Sequence, residues 1–247
     1  MKKKRIIILS TVIMLFITNL VSAQLFKISA FGQNGIITGD FAKREINSKN
    51  AGYVDYGFVG GIELNYYFNN KIGLGLRWTS SEYERNTDTY QSDLLDMLGI
   101  TNDHYDLTQS YSFWAFGSDI GISYQMNISE KLQLEPYIYL GYKGLISPGS
   151  EIIFSQDNTT FQYKTKSQAY LGFSYSPGLK LNWNVWKHFG FFFSAEYDAS
   201  SFVEDDERSL LFSYDTFEIT DTQKSYTINS VNIGVGLSFR FGKGLHQ

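Results

Sequence analysis

Residues 61–78 read GIELNYYFNNKIGLGLRW, and the fold turns on how this stretch is interpreted. Ile62, Leu64, Tyr66 and Phe68 alternate with Gly61, Glu63, Asn65 and Tyr67. After Asn69-Asn70-Lys71, the residues Ile72, Leu74, Leu76 and Trp78 alternate with Gly73, Gly75 and Arg77. Period-two alternation marks two strands, and the Asn-Asn-Lys step is turn chemistry between them. If Phe68 pairs with Ile72, Glu63 falls opposite Arg77, and the two are expected to form an ion pair. The hairpin therefore has one oily face and one face of glycines and charge.

Seven connections separate eight alternating segments, expected over residues 25–39, 53–68, 72–84, 110–126, 132–145, 167–183, 189–202 and 225–241. Three connections are short: Asn69-Asn70-Lys71, NISEK at 127–131 and NVWKH at 184–188. The other four are long and polar, over 40–52, 85–109, 146–166 and 203–224. Short connections alternating with long ones predict an all-β, eight-stranded antiparallel up-and-down barrel with one plain and one elaborate end.

The oily positions continue through the other strands, for example Trp114, Phe116, Ile120 and Ile122, or Val231, Ile233, Val235 and Leu237. This face is read as free of charge. The opposite face is expected to hold Lys27, Glu63, Arg77, Asp119, Glu135, Lys143, Lys180, Glu196 and Arg240, five positive and four negative groups, among many glycines. A soluble sandwich or ligand-binding barrel would bury the oily face and wet the other. Three features favour the reverse. Glycine weakens a solvent-facing strand, whereas small residues make room inside a narrow barrel. Charges close to parity suit a closed interior, where an unpaired ion is very costly. Tyr66, Phe68, Tyr124, Trp183, Phe189, Phe239 and Phe241 gather near the short connections, where an interfacial girdle belongs. The barrel is thus expected to be transmembrane, with lipid on its oily face and an ion network in its lumen.

The N-terminus agrees with export. Lys2, Lys3, Lys4 and Arg5 precede a mostly apolar run from Ile6 to Leu20, and Val21-Ser22-Ala23 ends in a small residue. This is the layout of a signal peptide over residues 1–23, leaving a barrel domain over 24–247. Setting aside the four basic residues of that leader leaves 17 Lys+Arg against 25 Asp+Glu, a net charge of about −8. Nucleic acid is a poor partner for such a chain. The 247 residues include no cysteine, which rules out disulfides and thiolate metal sites.

The leader, the eight strands, the alternating connections and the final strand VNIGVGLSFRF (231–241) resemble small bacterial outer-membrane β-barrel proteins of the OmpA/OmpX-like and porin-like families. The resemblance covers essentially the whole mature chain. It implies the outer membrane of a Gram-negative bacterium, with short periplasmic turns and long extracellular loops. It also implies contact with outer-membrane lipid and lipopolysaccharide, and the barrel-assembly machinery as a partner during insertion. Phe239 and Phe241 look like the terminal aromatics of the insertion signal, although GKGLHQ follows Phe241 here.

Little in the chain points to catalysis. His104 lies beside Asp103, Asp106 and Ser110 in a long connection, and His188 and His246 are expected to be solvated. A rim enzyme acting on lipid A would need a base, an acid and a nucleophile brought together in space, which local clustering does not supply. Ser92-Asp93 before LLDMLG (94–99) suggests one or two capped helical turns ended by Gly99. The last long connection is acidic, with Glu204, Asp205, Asp206, Glu207, Asp215, Glu218 and Asp221, yet it has no EF-hand spacing. No catalytic residue, metal ligand or cofactor is assigned. The expected function is a non-enzymatic envelope or surface-interaction barrel with a side-chain-filled lumen and an unidentified extracellular ligand. The alternatives are a narrow porin-like channel for small or hydrophobic solutes and the lipid A rim enzyme.

Overall fold

The structure is a computed structural model and describes residues 25–45, 51–68, 71–98, 105–109, 112–156, 159–165, 167–203 and 225–242. His104, His246 and the acidic stretch from Glu204 to Asp221 lie outside these residues. Among the described residues twelve strands follow one another: β1 (Leu25–Thr38), β2 (Val54–Phe68), β3 (Ile72–Arg85), β4 (Tyr105–Gln109), β5 (Ser112–Tyr124), β6 (Met126–Asn127), β7 (Leu132–Ile146), β8 (Ser150–Gln156), β9 (Thr159–Thr165), β10 (Ala169–Asn184), β11 (Phe189–Val203) and β12 (Ser225–Gly242). A 3₁₀ turn spans Gly39–Ala42, and helix α1 spans Thr87–Leu98.

Eight of the strands make the barrel. β1, β2, β3, β5, β7, β10, β11 and β12 pair antiparallel in that order, and β12 returns to β1. The hairpin register is the expected one, with Phe68 opposite Ile72 and Glu63 opposite Arg77. Closure follows from the surroundings. In hydrocarbon a strand edge has no water to satisfy its N–H and C=O groups, so the sheet must pair its last strand with its first. Ile62, Leu74, Trp78, Ile120, Phe193 and Ile233 stand exposed on the outside, while Glu63, Arg77, Asp119 and Lys180 are buried within.

In its elements and outer face the structure departs from the sequence expectations in three places. Helix α1 begins at Thr87 rather than near Ser92, because Asn86 is the capping residue: its Oδ1 accepts the Thr89 N–H at 3.2 Å. The helix is fastened to the rim by Tyr53, whose hydroxyl donates to Asp93 at 2.8 Å and whose backbone sits at φ 58°. The phenol is held above its ordinary pKa by burial first and by the Asp93 carboxylate second. Two of the long connections are also not plain loops. β4 from one pairs with β8 from the next, and β8 pairs with β9, giving a three-stranded sheet on the elaborate side. Finally, the outer face is not free of charge: Glu82 and Glu84 lie on it at the top of β3, opposite Phe58 and Tyr56. Glu82 stands between Phe58 and Trp114 and accepts a hydrogen bond from the Ser112 hydroxyl at 2.8 Å.

At the elaborate end the lumen is capped by rings. Phe41, brought inward by the 3₁₀ turn, is fully buried and meets Phe113 at 4.9 Å, Tyr226 at 5.7 Å and Tyr83 at 6.1 Å between centroids, all edge to face. Ile37, Val54, Leu145, Tyr170, Phe202 and Ile228 complete this apolar cluster. Edge-to-face packing of this kind contributes roughly 0.5–1.5 kcal/mol per pair beyond area burial.

One wall position is imperfect. The β10–β11 pairing runs from Leu171–Val203 to Tyr175–Ala199, then resumes at Gly178–Glu196. The gap falls at Pro177, which has no N–H to give to a ladder. Pro177→Val supplies the missing donor and is expected to stabilise the barrel by about 0.5–1.5 kcal/mol. Urea unfolding of the refolded protein in detergent measures this, and an unchanged or lower midpoint would show that proline is not the cause of the gap.

Candidate functional site

Alternation on inclined strands aims one residue in two at the axis, so the lumen is lined by whatever the sequence places at those positions. Here that includes ten charged groups: Lys27, Glu63, Arg77, Asp119, Glu135, Lys143, Lys180, Glu196, Asp198 and Arg240, each no more than 6% exposed. Asp198 was not among the residues singled out from sequence. It shares the parity of Glu196, so the alternation pointed to it, and it makes the count five against five.

The pairing follows the barrel diameter. Lys27 Nζ lies 2.6 Å from Glu135 Oε2, Lys180 bridges Glu63, and Arg77 bridges Glu196. In each case the partners sit four strands apart in a ring of eight, directly across the lumen. Arg77 also gives its Nε–H to Asp119 Oδ2 at 2.9 Å, its neighbour on β5. Lys143 bridges Asp198 nearer the aromatic cap. The expected Glu63–Arg77 pair is thus corrected: the two are in register but take partners elsewhere. Lys180 and Glu135 are likewise in register and likewise paired elsewhere. Side chains as long as Lys and Arg reach across a lumen this narrow, so register alone does not choose the partner: Arg77 keeps its in-register neighbour Asp119 but adds Glu196 from the opposite wall.

Hydroxyls and amides take up the remaining valences of the carboxylates. Glu135 also accepts from the Tyr67 hydroxyl at 2.6 Å and from Asn182 at 2.9 Å. Asp198 accepts from Ser176 at 2.8 Å and Ser200 at 2.7 Å, and Asp119 from Ser174 at 3.1 Å. Inner tyrosines cover the cations. The Arg77 guanidinium lies 4.4 Å from the Tyr139 centroid, and Lys180 Nζ lies 4.5 Å from that of Tyr137. The inner glycines make this possible. A Cβ on Gly121 would meet the Tyr139 ring at 2.5 Å and the Ile138 carbonyl at 2.6 Å. These tyrosines were also missed from sequence, although their parity matches that of the charges.

Phe239 and Phe241 stand half-exposed on the outer face of β12 and pack on each other at 6.2 Å. His188 is exposed in a short connection, stacked on Phe239 at 5.9 Å, with Nδ1 2.9 Å from the Arg240 carbonyl oxygen. Among the described residues no group of three His, Asp or Glu side chains is placed to hold a metal ion.

The cross-lumen bridges are individually testable. Glu63→Ala leaves the Lys180 ammonium buried without its partner, a loss expected to be about 3–5 kcal/mol. The double variant Glu63→Ala/Lys180→Met removes both charges and should be the more stable of the two in urea unfolding. A double variant as damaged as the single one would refute the bridge.

The outer membrane protein beta-barrel domain family matches residues 13–241. No curated protein matches the chain in sequence. Similar solved structures include a major outer membrane protein from Thermus thermophilus, at 13% identity and a TM-score of 0.44, over 89% of this chain and 100% of that one. OprG from Pseudomonas aeruginosa is 13% identical at a TM-score of 0.41, over 90% and 98%. The neisserial surface protein NspA is 11% identical at a TM-score of 0.38, over 87% and 97%. With strands closed in a ring of eight, an apolar exterior and this match over most of its length, the chain belongs to the outer membrane protein β-barrel domain family.

Proposed function

We propose that the protein is a non-enzymatic outer-membrane barrel that serves as a structural and surface-interaction element, with a lumen that conducts nothing. The observation carrying this is the filling of the lumen: three ion bridges across its diameter, tyrosines against the cations, and the Phe41 cap above them. An eight-stranded ring leaves an interior only wide enough for such side chains. A permeating solute would have to displace paired charges that are expensive to separate.

The three-stranded sheet β4–β8–β9 supplies the contact surface. Its outer strands β4 and β9 each pair on one side only among the described residues. Exposed strand edges accept a further strand, and loops on a rigid scaffold carry recognition. In this account residues 1–23 direct export and are removed from a Gram-negative protein. Phe239 and Phe241 are read by the barrel-assembly machinery, and lipopolysaccharide surrounds the outer rim beside Glu82 and Glu84.

Planar-bilayer recording of the purified barrel tests the sealed lumen. The wild type is expected to give no conductance steps. Regular single-channel steps in the wild type would overturn the proposal in favour of a narrow channel. Deleting residues 150–165 should leave heat-modifiable gel migration intact while abolishing adhesion of the protein-bearing cells to surfaces. Unchanged adhesion would remove the β8–β9 hairpin from the contact surface.

A further inference from the structure

We infer that the outer wall carries a binding groove for one acyl chain of a phospholipid, set over β12 and β1 with its head-group end at Trp183. The groove has a volume of about 680 Å³, within the roughly 300–1,000 Å³ of small-molecule sites. Two in-register rows of outward residues make it. One runs Trp183–Phe191–Leu237–Ala30 across β10, β11, β12 and β1. The other runs Phe193–Val235–Gly32–Gly60 across β11, β12, β1 and β2. Each row steps down from an aromatic ring to a methyl group or to bare backbone. The rings of β10 and β11 therefore wall one side of a recess whose floor is β12 and β1.

The far side is bounded by Phe58. A Cβ built on Gly32 would lie 3.2 Å from the Phe58 ring and one on Gly60 3.5 Å from it, so the ring lies along the two glycines. The loss of side-chain height is local, because Ile28 and Ile36 on the same strand project outward and are exposed. None of the residues lining the groove is polar or charged.

The surroundings decide the occupant. The wall on both sides of the groove faces hydrocarbon, as membership of the outer membrane family requires. Water gains no hydrogen bond from such a lining, whereas a methylene chain supplies the dispersion contacts that its atoms otherwise forfeit. The lining surface is far smaller than the roughly 1,200 Å² at which stable protein interfaces begin, so it suits a single chain better than a second barrel. Trp183 sets the direction. It is the penultimate residue of β10, beside a short connection, and stands exposed on the outer face. An indole at a membrane interface keeps its apolar body in the hydrocarbon and offers its N–H to ester and phosphate oxygens. A chain entering beside Trp183 runs inward to Gly32 and Gly60, each near the middle of its strand.

Methyl spectroscopy tests the groove. Protein carrying ¹³C-methyl alanine is folded in a fluorinated surfactant, whose tails mix poorly with hydrocarbon, and palmitoyl-oleoyl phosphatidylethanolamine is titrated in. Ala30 lines the groove, while Ala195 also faces outward, on β11, but lies outside the lining. The two resonances are assigned by their loss in Ala30→Gly and Ala195→Gly. The expected result is a saturable shift of the Ala30 methyl, with no saturation at Ala195. An Ala30 methyl that stays still, or that moves in step with Ala195, overturns the inference. So does a shift that follows protein concentration without lipid, which marks a second copy as the occupant. Val235→Trp fills the groove from its floor and leaves the Ala30 probe in place. It should abolish the saturable shift while retaining heat-modifiable gel migration; Leu237→Trp serves if Val235→Trp does not fold. A saturable shift unchanged in the folded, filled variant also overturns the inference.

Discussion

Everything in this protein depends on the cost of an unpaired polar group away from water. Outside, that cost closes the sheet, because each backbone N–H and C=O in the hydrocarbon must find its partner on a neighbouring strand. Inside, it arranges the charges, because a buried ammonium or carboxylate without a partner loses several kcal/mol of solvation. The eight-stranded ring is the point where the two demands meet. It is small enough that Lys and Arg side chains reach across it, so Lys27–Glu135, Glu63–Lys180 and Arg77–Glu196 tie opposite walls together.

The glycines and tyrosines of the inner face follow from this arrangement. Crossing side chains need space, which Gly121 supplies by leaving room for the Tyr139 ring. The rings then provide the faces on which Arg77 and Lys180 rest. At the elaborate end an apolar cluster around Phe41 takes over and closes the lumen. The lumen thus passes from ions paired across its diameter to an aromatic cap.

Much of this was visible in the sequence because a strand has a period of two. The hairpin register followed from Asn69-Asn70-Lys71, and the eight segments lay within a few residues of the strands found. Parity alone also pointed to Asp198, Tyr137 and Tyr139, which the stronger signals of the other charges and the glycines overshadowed. Helix α1 was placed late because its cap is Asn86, well before the leucines that made it noticeable. The sheet of β4, β8 and β9 was hidden for a different reason. Those strands are short and largely polar, and their pairing joins two connections that are far apart in the chain.

By itself the sequence determined the eight barrel strands and the face that most of their residues take, since both are local consequences of alternation and turn chemistry. Only the tertiary structure decided which ion meets which. Partners in register, such as Glu63 and Arg77, were exchanged for partners across the lumen, because the closed ring brings opposite walls within reach of one another.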